Sequence, residues 1–304
     1  MADAQLAGEL AAAVGELLAA LPPEALGACR FAHDDALRTR WDSGPNERAG
    51  VQLRAMPPEA RHLVYAALAC AHSPHGLRAI LRIHALEAVL RAREGGSAHR
   101  HPERYWLQVF GDPGAASWAL RLEGHHCSVN LAARDGTVRA TPLFRATNPA
   151  RVPDGPQAGL RVLGAEEDAG RAAALALTPA ERAACDADRA ASMDLLTGVS
   201  PRLTTLPTGG ALLRDLAPPA RSAVDRAIDR WIDHLHPTLA AELRARLAPR
   251  RDALRFAFSG ATASGQPHSW RVVGSGLVLE FAMAQDGGNH IHAVLREPDG
   301  DFGG

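Results

Sequence analysis

The sequence predicts an α+β protein, with helices packed around antiparallel sheets in two similar helix-helix-β-meander halves. Three observations carry this. Apolar residues recur at helical spacing in Ala/Leu-rich stretches, the period then switches to short β-rich runs broken by Gly and Asp turns, and the whole order occurs twice. With 304 residues, 46% of them hydrophobic, the chain can fill one large core or two modest ones. The expected organisation is a first half over 1–150 and a second over 151–304, in one compact unit with a polar pocket where the meanders meet.

Residues 2–20 read as an amphipathic helix, and Leu21-Pro22-Pro23-Glu24 restarts the chain into a second, shorter one. Met56-Pro57-Pro58-Glu59 opens a third, with Leu63, Val64, Ala67, Leu68 and Ala71 on one face. Ser73-Pro74 supplies an N-cap and first-turn proline for a fourth that reaches Arg93, where Gly95-Gly96 stops it. Strands are expected over 105–110, 117–123, 125–132 and 137–144, with Asp135-Gly136 as a turn. The second half offers helices over 166–175, 178–191, 218–235 and 237–247, with Thr178 and Glu181 forming a capping box. Strands resume over 254–259, 269–273, 277–283 and 290–296.

The recurrence goes beyond element order. Met56-Pro57-Pro58-Glu59-Ala60-Arg61 resembles Ala217-Pro218-Pro219-Ala220-Arg221, each heading two helices, and Trp118 with Gly124 is echoed by Trp270 with Gly274. Six residues beyond those glycines stand Asn130 and Glu280, so the polar positions of the two meanders differ.

Composition removes several function classes. The 33 basic and 34 acidic residues leave a formal charge of −1, without a basic patch for phosphate backbones, so nucleic acid is not an expected partner. Every basic residue is arginine, which excludes Schiff-base and P-loop lysine chemistry. The four cysteines are far apart, with no CxxC pair for a zinc or iron–sulfur site. Glu9 and Glu16 and the lack of an early basic residue make the start a poor signal peptide, and no apolar run spans a bilayer, so a cytoplasmic protein without a membrane partner is expected.

The last meander holds the densest chemistry. In Asn289-His290-Ile291-His292, strand alternation puts His290, His292 and Arg296 on one face, while Ile291, Ala293 and Leu295 face the core. Two imidazoles at i and i+2, one hairpin from Glu280, match a two-His, one-carboxylate metal site. In the first meander, Cys127, Val129 and Leu131 define an apolar side, leaving His126, Ser128 and Asn130 on the other. His126 is then a fourth ligand or a general base, Asn130 a substrate-positioning group, and His125 a hydrogen-bonded residue in or near the core. The competing structural reading pairs Glu280 with Arg296 or Arg271 in a buried ion pair. Structural readings are preferred for His72, His75, His84, His99, His101, His234 and His236, and for the acidic first turn Glu166-Glu167-Asp168.

The expected function is that of a metal-dependent enzyme acting on a small molecule, with Glu280, His290, His292 and His126 around a divalent ion. Redox or oxygen-dependent chemistry with non-haem iron or copper is favoured, because the set is rich in imidazole, lacks thiolate and leaves open positions. The alternatives are zinc-assisted hydrolysis or a lyase step on the same ligands, and a small-molecule or metal-binding module without turnover.

Trp41, Arg48-Ala49-Gly50, Leu86-Glu87, Gly124-His125-His126 with Asn130, Thr141-Pro142-Leu143-Phe144, Asn148-Pro149, and Glu280 with Asn289-His290-Ile291-His292, Arg296 and Asp301-Phe302-Gly303 resemble the family catalogued as domain of unknown function 3500. The resemblance runs from about residue 41 to the end and rests on the GHH and NHIH motifs. It brings no activity with it. The chain departs from the family pattern at Ser269-Trp270, at Gly276, and at Ala293-Val294-Leu295, where a tryptophan is usual before the arginine. These departures bear on substrate choice more than on the ligands.

Overall fold

The computed structural model describes residues 2–187 and 191–304 and is a mixed α+β structure. The chain divides into two compact units. The first comprises 1–144, 233–242 and 300–304, and the second 145–232 and 243–299.

In the first unit, helix α1 (Ala2–Ala19) buries Leu6, Leu10, Val14, Leu17 and Leu18, the stripe its spacing implies. Pro22 and Pro23 reopen the chain into α2 (Pro23–Cys29), which runs straight into strand β1 (Arg30–Phe31); a second short strand, β2 (Val51–Gln52), follows. Helix α3 (Pro58–Ala71) buries Val64, Ala67, Leu68 and Ala71. The side chain of Ser73 accepts a hydrogen bond from the Gly76 amide at 3.1 Å and so caps α4 (Pro74–Arg93). Beyond it Gly95 and Gly96, at φ 69° and 91°, take the left-handed backbone that ends the helix.

Strands β3 (Tyr105–Phe110), β4 (Ser117–Gly124) and β5 (Cys127–Arg134) form an antiparallel meander. The short strands β1 and β2 both pair along β3, β1 in parallel, and β6 (Thr137–Arg139) pairs with β5. The strand expected over 137–144 is divided. Pro142, which has no N–H to give to a ladder, stands between β6 and β7 (Leu143–Thr147), the strand that carries the chain into the second unit. The meander also departs from simple alternation, because β3 and residues 127–133 are buried on both faces. Ser128 and Asn130 therefore lie in the interior.

In the second unit, α5 (Gly164–Leu175) precedes α6 (Pro179–Cys185), whose capping box is present as read: Thr178 and Glu181 satisfy each other's backbone amides. Helix α6 ends earlier than the expected 191, and residues 188–190 lie outside the described residues. Strand β8 (Ala211–Leu212) leads to α7 (Pro218–Ile232), which buries Val224, Ala227, Ile228 and Trp231. Helix α8 (Pro237–Leu247) matches the expected bounds. Strands β9 (Arg255–Gly260), β10 (His268–Gly274), β11 (Leu277–Met283) and β12 (Ile291–Arg296) are antiparallel neighbours in sequence order, with β8 beside β9. In each unit a two-residue strand passes through a single 3-10 turn, Leu53–Ala55 or Leu213–Asp215, into a proline-led helix. Among the described residues, no helix is long and apolar enough to cross a membrane.

Candidate functional site

In the second unit, His290 stands just before β12 and His292 within it, opposite Ala282 of β11. Their rings meet edge to face with centroids 4.6 Å apart. Each imidazole has a carboxylate at Nδ1: Asp286 Oδ2 lies 3.2 Å from His290 Nδ1, and Asp194 Oδ1 lies 2.7 Å from His292 Nδ1. Asn148 donates to the same Asp286 oxygen at 3.0 Å and closes the group on that side. At His292 the carboxylate selects the tautomer with its proton on Nδ1 and leaves Nε2 as the lone-pair nitrogen, the arrangement that outer carboxylates impose on metal-binding histidines, whereas His290 Nδ1 also has the Asn148 amide nitrogen at 3.3 Å. Burial works against ionisation of Asp194, yet the hydrogen bond and charge of His292 hold its carboxyl below the usual aspartate range. The two imidazoles are 12% and 13% exposed.

Glu280 lies on the same pleat as His292, since it pairs with Val294, two residues farther along β12. Its carboxylate is held by the segment that precedes it in space: Oε2 accepts from the Leu196 amide at 2.7 Å, and Oε1 accepts from the Thr197 amide at 3.1 Å and from the Thr197 hydroxyl. The same segment ties Ser192 to Ser269 of β10 and carries Asp194 to His292. A cavity of about 10 Å³ beneath it, lined by Asp194, Arg271 and Glu280 among others, has room for about one water. Arg271 donates to the Thr208 carbonyl at 2.7 Å, and Arg296 is fully buried on β12 opposite Val278.

In the first unit, His125 and His126 form the two-residue turn between β4 and β5, which places His126 in a turn and not on the strand face with Ser128. Their rings stack, centroids 3.5 Å apart and planes 29° apart. His125 Nδ1 lies 2.5 Å from Oε1 of Glu87, a carboxylate on the buried face of α4. The donor atoms of Glu87, His125 and His126 all fall within 4.8 Å of one another, so this group can hold a metal ion. His125 is hydrogen-bonded, as read from the sequence. Asn130 is occupied by the protein itself: its Oδ1 accepts from Arg121 Nε at 2.7 Å, and its Nδ2 donates to Ser128 Oγ at 3.2 Å and to the Pro142 carbonyl at 2.8 Å.

Three carboxylates were given no role at a site in the sequence reading. Asp286 was within reach of it, four residues before His290 in one hairpin loop. Glu87 interrupts an otherwise apolar helix face between Ile83 and Leu90, and a charged group at a core position is itself a signal. Asp194 had none, because it lies 98 residues from His292 in an irregular connection.

The family described as protein of unknown function (DUF3500) matches residues 3–304, and the chain belongs to it. The match extends the resemblance read from residue 41 onward to essentially the whole chain. Neither the curated proteins nor the solved structures contain a match to it.

Proposed function

For this member of a family without an assigned activity, we propose a metal-dependent enzyme that acts on a small molecule, with His290 and His292 as imidazole ligands of a divalent ion. The observation that carries the reading is the pair of carboxylates at the two Nδ1 atoms, Asp286 and Asp194, which leaves each Nε2 as the nitrogen to offer an ion. Among the described residues no cysteine is in a disulfide, and Cys29, Cys127 and Cys185 are buried. An imidazole donor set without thiolate suits iron or copper, which would supply electron-transfer steps with an oxidising co-substrate such as dioxygen. Zinc on the same ligands would instead supply a water of lowered pKa for hydrolysis. A formal charge of −1 without a basic stretch favours a small-molecule substrate over nucleic acid.

Elemental analysis of purified protein beside its His290→Ala/His292→Ala variant tests this directly. The expected result is that the wild type holds one equivalent of iron or copper per chain more than the variant, and that an Asp194→Asn protein binds that equivalent about 10–100-fold more weakly. Zinc in place of iron or copper would move the reaction to hydrolysis. A metal content indifferent to both histidines would overturn the site.

A further inference from the structure

We infer a second metal site, built from Glu87, His125 and His126 of the first unit alone. It uses neither His290 nor His292 as a ligand. Its starting point is the backbone. His126 is at φ 65°, in the left-handed region that residues with a side chain rarely adopt. The β10–β11 hairpin has the same two-residue loop, closed by Gly274 and Leu277 as the first is closed by Gly124 and Cys127, and there the corresponding position is Gly276, at φ 92°. Glycine serves the turn without strain, so a histidine there signals that the imidazole is required.

The imidazole is required beside a donor set suited to a cation. His126 stacks on His125, whose Nδ1 lies 2.5 Å from Glu87 Oε1, and the three residues each offer a donor atom within 4.8 Å of the others. Arg100 is the group facing them that an ion must tolerate. Its Nη1 is 2.9 Å from the same His125 Nδ1 and 3.2 Å from Nε2, but its Nε and Nη2 are bound to both oxygens of Glu94, each at 2.9 Å. Two carboxylates thus face one guanidinium, and Arg100 stays 4.0 Å from the nearer oxygen of Glu87. With its proton on Nδ1, a neutral His125 donates to Glu87 and accepts from Arg100 at Nε2. A cation between Glu87 and His125 displaces that proton, both groups then act as donors to it, and Arg100 remains with Glu94. Two imidazoles and one carboxylate suit a borderline divalent ion such as Fe2+, Co2+, Cu2+ or Zn2+.

The test is a Co2+ titration of metal-stripped His290→Ala/His292→Ala protein, read by visible absorption and by elemental analysis. One Co2+ per chain is expected. Adding Glu87→Gln, which preserves shape and hydrogen bonding, should weaken binding about tenfold or more. Adding His126→Gly, which suits the left-handed turn, should abolish the bound-cobalt spectrum while circular dichroism stays native. The inference is overturned if the double variant binds no Co2+, or if its bound Co2+ survives both added substitutions unchanged. Because His290 and His292 are absent throughout, either failure leaves the reading at those residues untouched, and its own failure would show only in the wild-type comparison.

Discussion

At the scale of single residues, His84 shows what burial does to a titratable group. It is buried on α4, its ring stacked on Tyr105 with centroids 3.4 Å apart, and its Nδ1 lies 3.1 Å from the Tyr65 hydroxyl. Desolvation pushes its pKa down to about 3, from 6.5. Between those values the unfolded chain binds a proton that the folded protein refuses, so stability falls as the pH drops from 6.5 towards 3. Over pH 6.5 to 4 the loss from this residue reaches about 3 kcal/mol, at roughly 1.4 kcal/mol per unit. His84→Gln, which keeps an acceptor for Tyr65, should therefore show a shallower decline of the urea midpoint with acidification than the wild type. Parallel declines would rule out His84 as a source of the acid sensitivity. The sequence reading of His84 as structural agrees with this environment, whereas the carboxylates that orient the candidate ligands were harder to see. A histidine pair on a strand announces itself by spacing, but the partner of each Nδ1 is chosen by tertiary contact.

At the scale of elements, helix starts were the most legible features, because capping is local chemistry: Ser73-Pro74 and Thr178 with Glu181 do what their side chains dictate. Helix and strand ends were less legible where tertiary packing decides them, as with β6 and β7 around Pro142. Glycines within helices show the difference in energetic terms. In α1, a Cβ added at Gly15 meets nothing within 4 Å, so Gly15→Ala should stabilise the protein by about 0.5–1 kcal/mol through helix propensity. In α5, a Cβ at Gly170 would lie 2.1 Å from Trp270 Nε1 and 2.4 Å from its Cε2, because the helix rests on the indole of β10 without a side chain between them. There the same propensity gain is outweighed by overpacking, and Gly170→Ala should destabilise by about 1–3 kcal/mol. Thermal or urea unfolding of the two variants checks the opposite signs, and equal shifts would mean that α5 does not sit on Trp270 as described. Nothing in the sequence around Gly170 distinguishes it from Gly15, since the contact that matters arrives from a hundred residues away.

At the scale of the whole chain, the first unit is assembled from three separate segments, and no local pattern announces that residues 233–242 and 300–304 belong to it. Periodicity reports which face of an element is apolar, not which distant segment covers it. The contacts say how much depends on those segments. Ser73 N donates to the His234 carbonyl at 3.1 Å, His236 N donates to the Ala71 carbonyl at 2.9 Å, and Leu235 and Leu239 are buried. At the C-terminal end, Phe302 N donates to the Thr141 carbonyl at 2.8 Å, the Phe302 carbonyl accepts from Arg38 at 2.7 Å, and the ring is buried with the Arg121 guanidinium 5.9 Å from its centroid. Burying a phenylalanine ring contributes about 1.5–3 kcal/mol, and losing the two hydrogen bonds adds about 1 kcal/mol each. Deleting residues 300–304 should therefore lower stability by about 3.5–5 kcal/mol, read as a drop in the urea midpoint at constant slope. A fragment of residues 1–144, which lacks both segments, should show no cooperative thermal transition although it contains α1 to α4 and the whole β3–β5 meander. A sharp transition in that fragment, or an unchanged midpoint after the five-residue deletion, would mean that the first unit closes its core without them.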